Sequence, residues 1–192
     1  MAQADIEVQP GGQPTRQPFL ADIKAIRERA RQHMDDGAVT AGYGKDLEQV
    51  FEVLNAALAT EIICVLRYKR HSFMAVGIYA EPIAQEFAQH AAEEQAHADL
   101  LASRIVQLGG EPDFSPDGLS ARAHADYVEC GSLREMIQEN LVAERIAIDT
   151  YREMVRWFGD DDPTTKRMLE GILSQEEEHA DELSDLLQKS QL

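Results

Sequence analysis

Apolar residues recur at steps of three and four over four long stretches of this chain, the spacing of amphipathic helices. The first runs roughly from Lys45 to Phe73, with a seam of Leu47, Phe51, Leu54, Leu58, Val65 and Tyr68. The second starts near Pro82, a favoured first-turn residue, and ends at Gly109-Gly110; its seam is Ile83, Phe87, Leu101, Ile105 and Leu108. The third opens with Ser132-Leu133-Arg134-Glu135, the pattern of a capping box, and closes near Gly159. Its seam is Ile137, Leu141, Ile148, Tyr151, Val155 and Phe158. The fourth opens at Asp162-Pro163 and carries Leu169, Ile172, Leu183 and Leu186. Residues 1–44 read as an N-terminal extension. Within it the stretch from Met1 to Phe19, rich in Gln, Pro and Gly, reads as a flexible tail, and Phe19 to Met34 predicts a short helix (Leu20, Ile23, Ile26).

The connections constrain how these helices pack. About 8 residues join the first two and about 4 join the last two, so each pair predicts an antiparallel hairpin. Between the hairpins lies a much longer connection, Gly110 to Gly131. A helix of ~28 residues is about 42 Å long, a length that a connection of roughly 22 extended residues can cover. The fold class is therefore all-α: residues 45–192 form a four-helix bundle of two hairpins joined by a long crossover.

Six polar residues interrupt the apolar seams: Glu61 in the first helix, Glu94 and His97 in the second, Glu144 in the third, and Glu176 and His179 in the fourth. An unpaired buried carboxylate costs several kcal/mol, so six such groups at seam positions need a shared cause. Residues i and i+3 share a helix face, which lets each Glu-x-x-His pair converge on one point. One Glu from each of two helices, with Glu-x-x-His from each of the other two, is the pattern of carboxylate-bridged di-iron or di-manganese bundles. The chain also reads as duplicated. The interval from Glu61 to Glu94 matches that from Glu144 to Glu176 to within a single position, and a tyrosine follows at the same distance after Glu61 (Tyr68) and after Glu144 (Tyr151). Four carboxylates offset two divalent cations, and two neutral imidazoles add nitrogen ligands.

Composition excludes several classes. The balance of 18 Lys+Arg against 35 Asp+Glu gives a net charge of −17, which disfavours nucleic-acid binding. The tail's only charges, Asp5, Glu7 and Arg16, do not make a basic DNA-binding arm. Two cysteines, Cys64 and Cys130, are too few for a disulfide scaffold or a four-cysteine metal site. No apolar run approaching ~20 residues is read, so no membrane span is expected. The polar N-terminus lacks the apolar stretch of a signal peptide, and the default is a cytoplasmic protein.

The sequence resembles the bacterioferritin branch of the ferritin superfamily over Asp46 to Leu187. The resemblance rests on Leu54-Asn55-x-x-Leu58-x-x-Glu61, Glu94-x-x-His97-Ala98-Asp99, Leu108-Gly109-Gly110-x-Pro112 and Glu176-Glu177-Glu178-His179. It implies a ferritin-like four-helix bundle with two irons per subunit, for which manganese or zinc can substitute. It also implies that Glu94 and Glu144 bridge the metals, that Glu61 and His97 complete one of them, and that Glu176 and His179 complete the other. Where bacterioferritins carry a haem-binding methionine, directly after the second-helix glutamate, this chain has Gln95, so no haem is expected there. The sequence stops at Leu192, soon after His179, so the family's short fifth helix is not expected. With the N-terminal extension, this is similar to the smaller Dps-like cages that place a bacterioferritin-type site inside each subunit. A homo-oligomeric dodecamer is favoured over a 24-mer.

The function so implied is a ferroxidase that oxidises Fe(II) with O2 or H2O2 and stores Fe(III) mineral. The alternative is a non-storage di-metal peroxidase, catalase or oxygenase. Around the six residues, Tyr68 and Tyr151 read as core aromatics whose hydroxyls can bond ligand carboxylates, with a redox role as the other option. His90, one turn before Glu94, reads as a packing or supporting residue with metal entry or mineral nucleation as the other option. Glu93 reads as a solvated charge or an ion relay. Cys64 and Cys130 read as unrelated thiols or a redox pair. The acidic surplus either lines a cage interior or keeps the protein soluble.

Overall fold

The computed structural model describes residues 22–78 and 80–189. The tail predicted over residues 1–19, and Leu20 of the predicted short helix, lie outside them. The described residues form helices only: α1 (Ile23–Arg29), a single 3-10 turn (Met34–Asp36), α2 (Leu47–Met74), α3 (Ala80–Gln107), α4 (Leu119–Arg122), α5 (Leu133–Phe158) and α6 (Pro163–Lys189). The four long helices fall where the apolar periodicity places them.

Their ends follow from local chemistry. Asp46 caps α2 by accepting from the Gln49 backbone N–H at 3.1 Å. The predicted capping box opens α5: Ser132 Oγ accepts from the Glu135 N–H (3.2 Å) and Glu135 Oε2 accepts from the Ser132 N–H (3.0 Å). Asp162 caps α6 through the Thr165 N–H at 2.9 Å. α3 starts two residues ahead of Pro82, whose missing N–H is harmless anywhere in the first turn. It stops where Gly109 takes a left-handed φ of 88° and Gly110 lies against Phe51; a Cβ on Gly110 would come within 2.6 Å of that ring. Near the start of the described chain, the predicted Phe19–Met34 helix shortens to α1, capped by Asp22.

α2 and α3 pack along their lengths, as do α5 and α6, and the pairs meet through narrower α3–α6 and α2–α5 contacts. The crossover runs parallel to α2 and is stitched to it in order. Asn55 bonds Glu111 O and the Asp113 N–H. Thr60 accepts from the His124 N–H. Buried Arg67 donates to Asp126 O at 2.9 Å, and His71 contacts Val128 O at 3.0 Å. The chain is thereby carried the full length of α2 before α5 begins. The crossover's own turn of helix, α4, was not legible in the hydrophobic pattern.

Two apolar clusters fill the bundle. One holds Val50, Leu54, Leu58, Leu101, Ile105, Phe158, Leu169 and Ile172. The other holds Ile83, Phe87, Ala91, Met136, Ile137 and Leu183. On every long helix the six polar seam residues lie between the stretch feeding one cluster and the stretch feeding the other. They form a polar layer between two apolar ones. α2 is long and apolar enough to cross a membrane by length and composition, contrary to the expectation of no such stretch. More than half of that window is buried inside the bundle, so its apolar face is explained by the core.

Candidate metal centre

The six predicted residues meet at mid-bundle, none more than 2% exposed. Their ligand atoms form two overlapping groups. Glu61, Glu94, His97 and Glu176 make one, and Glu94, Glu144, Glu176 and His179 make the other; within each, the atoms lie within 4.8 Å of one another. The carboxylates common to both are Glu94 and Glu176. The resemblance had implied Glu94 and Glu144 as the shared pair. Glu144 belongs to the second group alone, as Glu61 belongs to the first, because the two Glu-x-x-His helices each bring their glutamate to the middle.

Each imidazole turns Nδ1 inward and Nε2 outward. His97 Nδ1 lies 3.0 Å from Glu176, 3.2 Å from Glu94 and 3.5 Å from Glu61. His179 Nδ1 lies 3.5 Å from Glu94, 3.6 Å from Glu176 and 3.9 Å from Glu144. His97 Nε2 faces Gln175 Oε1 at 3.0 Å, and His179 Nε2 faces Glu93 Oε2 at 2.8 Å. Because Glu93 and Gln175 are acceptors, they hold the proton on Nε2 and leave Nδ1 as the inward nitrogen, the usual device for orienting a metal-binding histidine.

The internal duplication reappears as reciprocal contacts. Tyr68 on α2 donates to Glu144 on α5, and Tyr151 on α5 donates to Glu61 on α2. Burial first, and then the adjoining carboxylates, hold both phenols well above their ordinary pKa, so each keeps its proton. Glu93, the residue before Glu94, holds the histidine of α6; Gln175, the residue before Glu176, holds the histidine of α3. Neither support was recognised from the sequence, although the duplicated spacing marks the position preceding each motif.

The donor set fits divalent cations better than it fits itself. Glu61 Oε2, Glu94 Oε1, both Glu176 oxygens and His179 Nδ1 are buried without a hydrogen-bond partner. Buried polar groups are rarely left so. Burial, then Glu94, pushes the Glu61 carboxyl up to about 8; burial, then Glu61, does the same for Glu176, also to about 8. Burial opposes charge on Glu144 as well, but the adjoining His179, then Glu176 and the Tyr68 hydroxyl, outweigh it and bring its pKa down to about 2. Burial likewise opposes charge on His97 and His179, yet the carboxylates around them hold both far above the usual histidine range. Without a cation, then, burial and mutual repulsion favour protons within the cluster.

Cys64 and Cys130 are free thiols. Cys64 is buried, with Arg67 at 3.8 Å from its sulfur, and burial pushes its thiol well above the usual range, which makes it a poor nucleophile. Gln95 donates to Asp99 on the exposed face of α3 at 3.0 Å.

Residues 51–192 match the ferritin-like domain family. The chain is 28% identical over 135 residues to a bacterioferritin of Rhodobacter capsulatus, covering 69% of this chain and 79% of that one. It is 29% identical over 152 residues to a DNA protection during starvation protein of Pyrococcus furiosus, covering 75% and 80%. Among solved structures, the dodecameric thioferritin of Bacteroides fragilis, a bacterioferritin-related protein, superposes with a TM-score of 0.73 at 31% identity, over 76% of this chain and 88% of that one. The chain belongs to the ferritin-like family, with relatives in both its bacterioferritin and its Dps branches.

Proposed function

We propose that this chain is a ferroxidase that oxidises Fe(II) within each subunit and passes Fe(III) into the cavity of a homo-oligomeric cage, most simply a dodecamer. The observation that carries the reading is the six-residue cluster itself, with four carboxylates and two inward imidazole nitrogens drawn from four helices and buried oxygens left without partners. Two Fe(II) ions are the substrate. Glu61 and His97 would hold one, Glu144 and His179 the other, and Glu94 and Glu176 would lie between them. Four carboxylate charges balance two divalent ions.

A pair of ions at one place can deliver two electrons together. O2 that takes both electrons with two protons leaves as H2O2, and H2O2 that does the same leaves as two waters. Either route avoids release of a one-electron oxygen radical. Burial favours this reading over an oxygenase of a large organic substrate, since residues no more than 2% exposed offer no face to such a molecule. Of the neighbours, Tyr68 and Tyr151 act by holding Glu144 and Glu61.

Stopped-flow Fe(II) oxidation, read beside native mass, tests this. Glu94→Ala and His97→Ala should each abolish the rapid phase while the oligomer keeps the wild-type mass. Wild-type rates in both variants would place the chemistry elsewhere.

A further inference from the structure

One turn from the six-residue cluster, α3 and α6 bring together a second set of metal-binding groups. Glu86 and His90 lie one helical turn apart on α3, and Glu182 faces them from α6. His90 is fully buried. Its Nε2 lies 2.9 Å from Glu182 Oε2 and 3.6 Å from Glu86 Oε1, and both carboxylates reach solvent, being 39% and 31% exposed.

Which nitrogen of His90 carries the proton follows from its other neighbour. Nδ1 lies 3.2 Å from the Tyr68 hydroxyl. The Tyr68 hydroxyl hydrogen is already directed to Glu144, so its oxygen is left to accept from His90. With Nδ1 turned to that oxygen, Nε2 is the nitrogen that faces the two acid oxygens. That arrangement repels itself unless a second proton or a cation lies among the three groups. One imidazole nitrogen and two carboxylates suit borderline divalent ions such as Fe(II) or Zn(II). The half-open carboxylates leave the remaining positions to water.

We infer that Glu86, His90 and Glu182 form a third divalent-cation site in each subunit, separate from the two central positions. It shares no residue with them. It adjoins them through the His90 ring, which stacks on His179 at 4.1 Å between centroids, and through the His90–Tyr68–Glu144 chain of hydrogen bonds. An ion on Nε2 would fix the ring in the tautomer that supports Tyr68 and, through it, Glu144. The site does not depend on the ferroxidase reading.

Equilibrium dialysis of the full-length oligomer against Zn(II), at an ionic strength that suppresses loose surface binding, tests this by counting ions per subunit. The wild type should saturate at three. The isosteric Glu86→Gln/Glu182→Gln variant should saturate at two, with an unchanged unfolding midpoint in the metal-free state showing that it folds. Glu94→Gln/Glu176→Gln should lose the central ions and keep this one. A single wild-type ion that disappears in Glu86→Gln/Glu182→Gln would support the third site while contradicting the central pair. A wild-type count of two, both lost with Glu94→Gln/Glu176→Gln, would overturn the inference and leave a proton as the occupant. An unchanged count of three in Glu86→Gln/Glu182→Gln would overturn it as well.

Discussion

Glu93 on α3 holds His179 on α6 by a 2.8 Å contact between Oε2 and Nε2, and Gln175 on α6 returns the same service to His97 on α3 at 3.0 Å. Each helix thus aims the other's imidazole. The two bonds are related by the same internal symmetry that pairs Tyr68 with Glu144 and Tyr151 with Glu61.

Removing either support should weaken metal binding without emptying the site. Glu93→Ala or Gln175→Ala is expected to raise the dissociation constant for Co(II) about 10- to 100-fold, the usual cost of losing an orienting partner. Anaerobic Co(II) titration followed by visible absorption reads this directly. An affinity within twofold of wild type in both variants would show that the histidines are held by packing alone.

Tyr68→Phe and Tyr151→Phe each strip one donor from a buried carboxylate. Each should lower the stability of the metal-free protein by about 1–3 kcal/mol. Saturating metal should recover part of that loss, because the cation then neutralises the same carboxylate through its other oxygen. Thermal unfolding with and without Zn(II) separates the two states, and an equal loss in both would contradict a role on the carboxylate.

The metal-free protein should become less stable as pH rises. Glu61 and Glu176 have folded-state pKa values raised from 4.5 to about 8. A group raised on folding contributes stability that is complete below its unfolded value and is lost as pH climbs through its folded one. The affected window therefore runs from pH 4.5 to about 8. His97 and His179, also raised, act in the same direction. Glu144, lowered to about 2, acts only in acid below this window. Denaturant unfolding of chelator-treated protein across these pH values should show the decline, and saturation with Zn(II) should remove it. A rise in metal-free stability over that range would contradict the proton-filled centre.

Far from the cluster, Asp162 ties the bundle's end together. It accepts from Arg104 on α3 at 2.9 Å, from Tyr43 at 2.8 Å and from the Thr165 N–H that starts α6. Asp162→Ala leaves the buried Arg104 guanidinium without its carboxylate and removes the cap, a loss of about 3–5 kcal/mol. Urea unfolding checks it. Ferroxidation per folded subunit should stay at the wild-type level, because none of these contacts reaches the six-residue cluster.

The helices and the six interior polar residues were legible because both are local signals. A seam position is recognised by its spacing, and a glutamate in a leucine's place stands out. The long crossover was legible from length alone. The shared carboxylate pair was not, since spacing along one helix gives the face a residue occupies but not how far that face turns toward a diagonal partner. The resemblance gave Glu144 the role that the three-dimensional arrangement gives Glu176. Glu93 was read as a solvated charge or an ion relay because it lies off the seam; at 30% exposure it still reaches the outer nitrogen of His179. The turn of α4 escaped because so short a segment carries no periodicity.

Two ions sharing one polar layer between apolar clusters would leave a direct crystallographic signature. Crystals of the protein loaded with Zn(II) and measured at the zinc absorption edge test this most directly. Two anomalous peaks are expected at mid-bundle in every subunit, with Glu94 and Glu176 between them, Glu61 and His97 on one and Glu144 and His179 on the other. Empty density among these six side chains, with zinc bound only at the surface, would contradict it.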